Sequence, residues 1–182
     1  MIVLLLGPPG TGKSTIGKYV ARRLGVPWIS SGLLLREAAR RDDRLARLLE
    51  AGELVPDQEV ERVLFEGLAE AGGGFVLDGY PRTVPQARNF LAFLDERSWS
   101  ITRVYHLCLP EEVAVRRLLA RGRDDDRPEV IQERLRVYQA ETEAVIQVLR
   151  DAGVELVEVD TLPPPEEVER QIDASLQEIS RG

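Results

Sequence analysis

The chain has 182 residues, 43% of them hydrophobic and 30% charged, with a net charge of −7, which fits one globular domain with a real core and excludes a disordered chain. That acidity argues against nucleic acid or an anionic membrane as the main partner, but leaves room for a locally basic cleft. The lone cysteine, Cys108, excludes an internal disulfide, and with no export signal and no apolar run of membrane length a cytoplasmic setting is expected.

Apolar runs alternate with helical periodicity along the whole chain. Strands are expected over residues 2–6, 27–30, 75–78, 103–109 and 155–159. Helices are expected over 14–24, 32–39, 43–51, 57–70, 83–97, 111–121, 128–152 and 165–179. This alternation predicts an α/β fold, a parallel sheet covered by helices on both faces. There is no internal repeat or low-complexity linker; Pro163-Pro164-Pro165 reads as a turn and a helix start.

The first strand runs directly into Gly7-Pro8-Pro9-Gly10-Thr11-Gly12-Lys13-Ser14-Thr15, a match to GxxxxGK[ST] without a mismatch. Gly10 and Gly12 allow a tight turn that aims backbone N–H groups at phosphate oxygens, and the following helix adds its positive dipole end. Lys13 reaches the β- and γ-phosphates, and the Ser14 hydroxyl suits a Mg²⁺ position. The strand–loop–helix setting lifts this above an ordinary Gly-rich turn and predicts nucleoside triphosphate binding. Composition supports it: of 24 basic residues only Lys13 and Lys18 are lysines, leaving 22 arginines. Lysine is kept at the position where a compact point charge is wanted.

Two more regions carry chemistry. Phe75-Val76-Leu77-Asp78 is a buried strand ending in a carboxylate placed to hold Mg²⁺, and Gly79-Tyr80-Pro81-Arg82 follows at its mouth. Further on, Arg117 and Arg121 share a helix face, Gly122 ends that helix, and Pro128 begins the next. Arg123 and Arg134 flank a short, breakable segment between them. Spacing alone leaves two readings of this region open: a solvated charge cluster with Asp124–Asp126, or a phosphate-sensing lid. His106 stands mid-strand, where packing in the core is the expectation.

These motifs occur together in an order that resembles the adenylate kinases: the phosphate loop, Ile29-Ser30-Ser31-Gly32 through Arg36, Leu54-Val55-Pro56-Asp57, Asp78-Gly79-Tyr80-Pro81-Arg82-Thr83 with Gln86, and the Arg121 to Arg134 segment. The resemblance spans essentially the whole chain and is to the short-lid form of these nucleoside monophosphate kinases. It implies a three-layer P-loop NTPase fold with a five-stranded parallel sheet and one domain over 1–182. Within that domain it implies a small NMP-binding insert at 30–59 and a short lid at 122–132.

By the same resemblance, Gly10, Thr11, Gly12, Lys13, Ser14 and Thr15 would wrap the phosphates of ATP, with Arg121 and, nearer the base, Arg117. Ser31, Arg36, the backbone of Glu53, Leu54 and Val55, Gly79, Arg82 and Gln86 would form the AMP site. Arg36 and Arg82 would clamp its phosphate and Gln86 would read the adenine edge. Arg123 and Arg134 would contact the transferring phosphoryl group and AMP, so Lys13, Arg82, Arg121, Arg123 and Arg134 would carry the catalysis. Ser14 and Asp78 would hold Mg²⁺, and a monomer working on ATP, AMP and ADP is expected. The chain departs from the pattern at Leu33, where the family usually carries an acidic residue. Two alternatives stay open here: a kinase of another monophosphate such as CMP or UMP, or a nucleotide-dependent binding module with little turnover.

Overall fold

Ile2–Leu6 is apolar at every position because it is covered on both faces, and it forms the central strand β1. Its side chains alternate across the sheet. Ile2, Leu4 and Leu6 enter one hydrophobic cluster, and Val3 and Leu5 the other. The computed structural model describes residues 1–51, 55–123 and 126–179. Glu53 and Leu54 of the expected AMP site, and Asp124 and Asp125 of the acidic run, lie outside the described residues.

In chain order the elements are β1, α1 (Lys13–Leu24), β2 (Trp28–Ser30), α2 (Ser31–Ala39), α3 (Asp43–Ala51), α4 (Asp57–Glu70) and β3 (Phe75–Asp78). There follow α5 (Val84–Asp95), β4 (Ile101–Cys108), α6 (Glu111–Arg121), α7 (Pro128–Val137), a π turn (Tyr138–Thr142), α8 (Glu143–Asp151), β5 (Leu156–Asp160) and α9 (Pro165–Ile179). The five strands form one sheet in the order β2-β3-β1-β4-β5, with every pairing parallel. Helices α4, α5 and α8 supply Leu64, Phe90 and Leu149 to one face, while α1 and α9 supply Val20 and Ile172 to the other. The three-layer α/β expectation holds. Among the described residues no helix is long and apolar enough to cross a membrane.

Two features of this topology position the site. The chain leaves β1 toward one sheet edge and β4 toward the other, which opens a crevice at their carboxyl ends. Register then sets Asp78 of β3 between Leu5 of β1 and Ser30 of β2, directly beside the loop that follows Leu6. A small third cluster of Ala114 and Leu118 on α6 with Ile131 and Leu135 on α7 pins together the two helices flanking the arginine-rich segment.

The sequence differs from the structure most clearly in its long C-terminal helix. The helix expected over 128–152 is interrupted by the π turn, where the chain adopts a wider winding. Tertiary contacts hold that winding. The Thr142 hydroxyl donates to the Arg82 carbonyl at 3.1 Å, and the Tyr138 hydroxyl lies 3.0 Å from His106 Nε2. His106 is therefore partly buried and hydrogen-bonded between β4 and the π turn, not simply packed among apolar neighbours.

Candidate active site

The phosphate loop closes against α6. Gly10 has φ +91°, and a Cβ there would lie 2.8 Å from the Ala114 carbonyl oxygen and 2.9 Å from its Cα. Both are backbone atoms of a packed helix, so nothing flexible can give way, and only glycine fits the turn. Gly10→Ala should raise the dissociation constant for ATP by about tenfold or more, since strain of this kind costs on the order of 1–3 kcal/mol. Calorimetric titration checks this; an unchanged affinity would refute the account of the loop.

The loop then enters α1 at Lys13. Its ammonium donates to the Gly7 carbonyl at 2.7 Å and the Pro8 carbonyl at 2.8 Å. Withdrawal from water pushes its pKa down to about 8; Asp78 opposes this, and Arg82 and Arg121 add to it. The sign follows directly. The protonated amine attracts a triphosphate and the neutral amine does not, so ATP affinity should fall as pH rises through the Lys13 pKa. The dissociation constant should rise on the order of tenfold between about pH 7.5 and about pH 9, with proton uptake on binding at the higher value. A flat profile would contradict this.

Next to Lys13, the Ser14 hydroxyl donates to Asp78 Oδ2 at 2.8 Å, and Asp78 is only 4% exposed. A hydroxyl and a carboxylate in contact are hard oxygen donors of the kind Mg²⁺ prefers, so this pair fits that ion. Beyond Asp78 the chain turns. The Ser31 hydroxyl donates to the Gly79 carbonyl at 2.7 Å, and Arg82 Nε donates to the same carbonyl at 2.7 Å. This shared acceptor fixes the guanidinium plane of Arg82. Enclosure by the cleft walls lowers the Arg82 pKa most; Asp78 opposes that, while Arg134 and Arg36 reinforce it. Gln86 sits behind the loop carrying Arg82 and is 1% exposed. Its Oε1 accepts the Arg82 backbone N–H at 2.7 Å, and its Nε2 donates to Asp57 Oδ1 at 2.7 Å.

The arginine-rich segment is built around Asp126, whose side chain is fully buried. Arg121 grips it in a fork, Nε to Oδ2 at 2.8 Å and one terminal nitrogen to Oδ1 at 2.6 Å. The Arg123 backbone N–H donates to Oδ2 at 3.2 Å, and Arg134 approaches Oδ1 at 3.6 Å. Burial works to raise the Asp126 pKa, but these partners outweigh it and hold the carboxyl below its usual range. At Asp126, then, the solvated-cluster reading does not apply. Arg117 donates to the Thr161 carbonyl at 2.9 Å, which ties α6 to the turn after β5. Across the cleft, Arg127 reaches the Glu50 carbonyl on α3 at 3.4 Å.

All of this encloses a cleft of about 320 Å³. Gly10, Gly12, Lys13, Ser14, Thr15, Arg36, Asp78, Gly79, Arg82, Arg117, Arg121, Arg123 and Arg134 line it, and each was singled out by the sequence. Thr11 is buried beside it, its hydroxyl donating to the Pro8 carbonyl at 2.9 Å. Ser31 is buried under Gly79, and Val55 is buried in the apolar cluster. Sequence reasoning missed Leu49, Tyr138 and Thr142, which also line the cleft. Leu49 looked like one more apolar position of a helix, and the two hydroxyls reach the cleft only because of the π turn. Among the described residues seven cationic side chains line the cleft against one carboxylate, Asp78, in a chain of net charge −7, which marks it as a site for polyanions.

A family model described as adenylate kinase matches residues 5–154. The chain is similar to the adenylate kinase of Mycobacterium tuberculosis (strain H37Rv), 40% identical over 174 residues that cover 92% of this chain and 94% of the relative. It is also similar to the adenylate kinase of Nocardia farcinica, 43% identical over 152 residues, with 80% and 84% covered. Adenylate kinase 1 of Nostoc sp. (strain PCC 7120) is 38% identical over 180 residues, with 96% and 97% covered. The match of a family model over most of the chain, together with relatives covered nearly end to end, shows that the chain belongs to the adenylate kinase family.

Proposed function

We propose that this protein transfers the terminal phosphoryl group of Mg-ATP to AMP, giving two ADP, and so balances the adenine nucleotide pool. The observation that carries this reading is the convergence of the phosphate loop, Asp78 and six arginines from three helices and two loops on one cleft. Phosphoryl transfer needs positioning and cationic charge around a loose transition state more than a strong acid or base. Among the described residues the cleft offers cations in number and no histidine.

In this reading Gly10 to Thr15 cradle the ATP phosphates through backbone N–H groups, with Lys13 on the outer phosphates and Arg117 and Arg121 completing the donor side. Ser14 and Asp78 hold Mg²⁺, which when bound neutralises charge on the phosphates. Arg36 and Arg82 clamp the AMP phosphate, as a planar fork does better than an ammonium. Ser31, Gly79, Gln86 and the backbone of Glu53, Leu54 and Val55 complete the acceptor site. Arg123 and Arg134 face the group in flight. Residues 30–59 act as the acceptor insert and 122–132 as a lid, whose closure expels water that would otherwise take the phosphoryl group. The protein works as a cytoplasmic monomer.

Phosphorus NMR of the purified protein tests this. ATP and AMP should disappear in equal amounts as ADP appears, the reaction should reverse from ADP alone, and chelation of Mg²⁺ should stop it. ATP loss that does not depend on AMP would overturn the reading.

A further inference from the structure

We propose that Asp57 is a positioning residue that sets purine selectivity: it locks the Gln86 amide in one orientation, so that the acceptor site admits a 6-aminopurine monophosphate and rejects a 6-oxopurine one. This rests on the reading of Gln86 as the reader of the base edge. The lock itself is geometric. Gln86 Oε1 accepts the Arg82 backbone N–H, and Nε2 donates to Asp57 Oδ1, both at 2.7 Å. A backbone N–H can only donate and a carboxylate can only accept, so the partners dictate which amide atom is which. A flip of the amide would set N–H against N–H and oxygen against carboxylate. Gln86 is 1% exposed, so water relieves these two contacts poorly.

Asp57 is held in turn. Its Oδ2 accepts the Thr83 hydroxyl at 3.1 Å, and that same hydroxyl accepts the Gln86 backbone N–H at 3.2 Å as the N-cap of α5. The network joins the start of α4 to the start of α5, so the carboxylate cannot swing away without losing its bond from the hydroxyl that caps α5. Among the described residues each Gln86 amide atom has one partner, which leaves one N–H and one lone pair for a base. A 6-aminopurine presents an acceptor at N1 beside a donor amine. A 6-oxopurine presents a donor N1–H beside an acceptor oxygen at the same ring positions. The locked amide matches the first pattern and opposes the second, so selectivity comes from the orientation Asp57 forbids.

The test compares AMP with IMP, which differ only in that edge, as acceptors from Mg-ATP. The ratio of the two kcat/KM values on one preparation does not depend on its folded fraction. The wild type should prefer AMP by about a hundredfold or more. Asp57→Asn, whose amide can turn to follow a flipped Gln86, should narrow the ratio by about tenfold, mainly through a gain with IMP, and Asp57→Ala should narrow it as well. If turnover is too slow, the AMP-to-IMP ratio of dissociation constants by calorimetry reads the same quantity. Wild-type ratios in both variants would overturn the role of Asp57, since the Arg82 backbone N–H would then suffice to hold the amide. Gln86→Leu separates the two levels. If it alone abolishes discrimination, only the lock fails; if it leaves the ratio unchanged, the assignment of Gln86 to the base edge fails with it.

Discussion

Lys13→Ala should lower kcat by about a thousandfold while the protein stays folded, because loss of one preorganised charge donor costs about 10²–10³ in rate or more. The structure gives the reason. Lys13 is held by the Gly7 and Pro8 carbonyls at the turn of the phosphate loop, where in the proposed reading its charge would meet the phosphates. Removing the side chain leaves those carbonyls facing the triphosphate with nothing between. The fold should tolerate the change, since Lys13 opens α1 and the helix's buried residues begin at Ile16. Steady-state rates with saturating ATP and AMP, alongside a thermal melt, check both halves. Near-wild-type turnover would contradict the role of the loop.

Arg82→Ala should have the second largest effect, and its pattern matters more than its size. Arg82 is oriented through Nε by the Gly79 carbonyl, and its backbone is held by Thr142 and Gln86. In the proposed reading a clamp so positioned both binds and orients the acceptor phosphate, so KM for AMP should rise and kcat fall together. The loss in kcat/KM should be about 3 kcal/mol, on the order of a hundredfold, the usual cost of truncating one partner of a desolvated charge pair. ATP affinity should change little. If the variant lost ATP binding and kept its AMP kinetics, Arg82 would belong to the donor site and the acceptor assignment would be wrong.

Much of this was legible in the sequence because the signals were local. The Ile2–Leu6 run demands a strand covered on both faces, GxxxxGK[ST] demands a strand before it and a helix after it, and Asp78 ends a buried run beside the first strand. Gly122 ends α6 with φ +64°, where the sequence placed the stop. What escaped depends on contacts distant in the chain. The π turn has no signature in a 3.6-residue pattern, since its winding answers to Arg82 and His106, 60 and 32 residues away from Thr142 and Tyr138. Asp126 looked like one acid in a charged run until folding buried it under Arg121 and Arg134. Asp57 sat in a quoted motif without a role until its bond to Gln86, 29 residues on, became visible.

The most direct test of the central claim is ADP formation by the purified protein with Mg-ATP and, in parallel, AMP, CMP, UMP, dTMP or GMP as acceptor. The account predicts fast turnover with AMP and little with the others, even with Leu33 at the position where the family usually carries an acidic residue. Faster turnover with a pyrimidine nucleotide, or ATP loss at the same rate with no acceptor present, would contradict it.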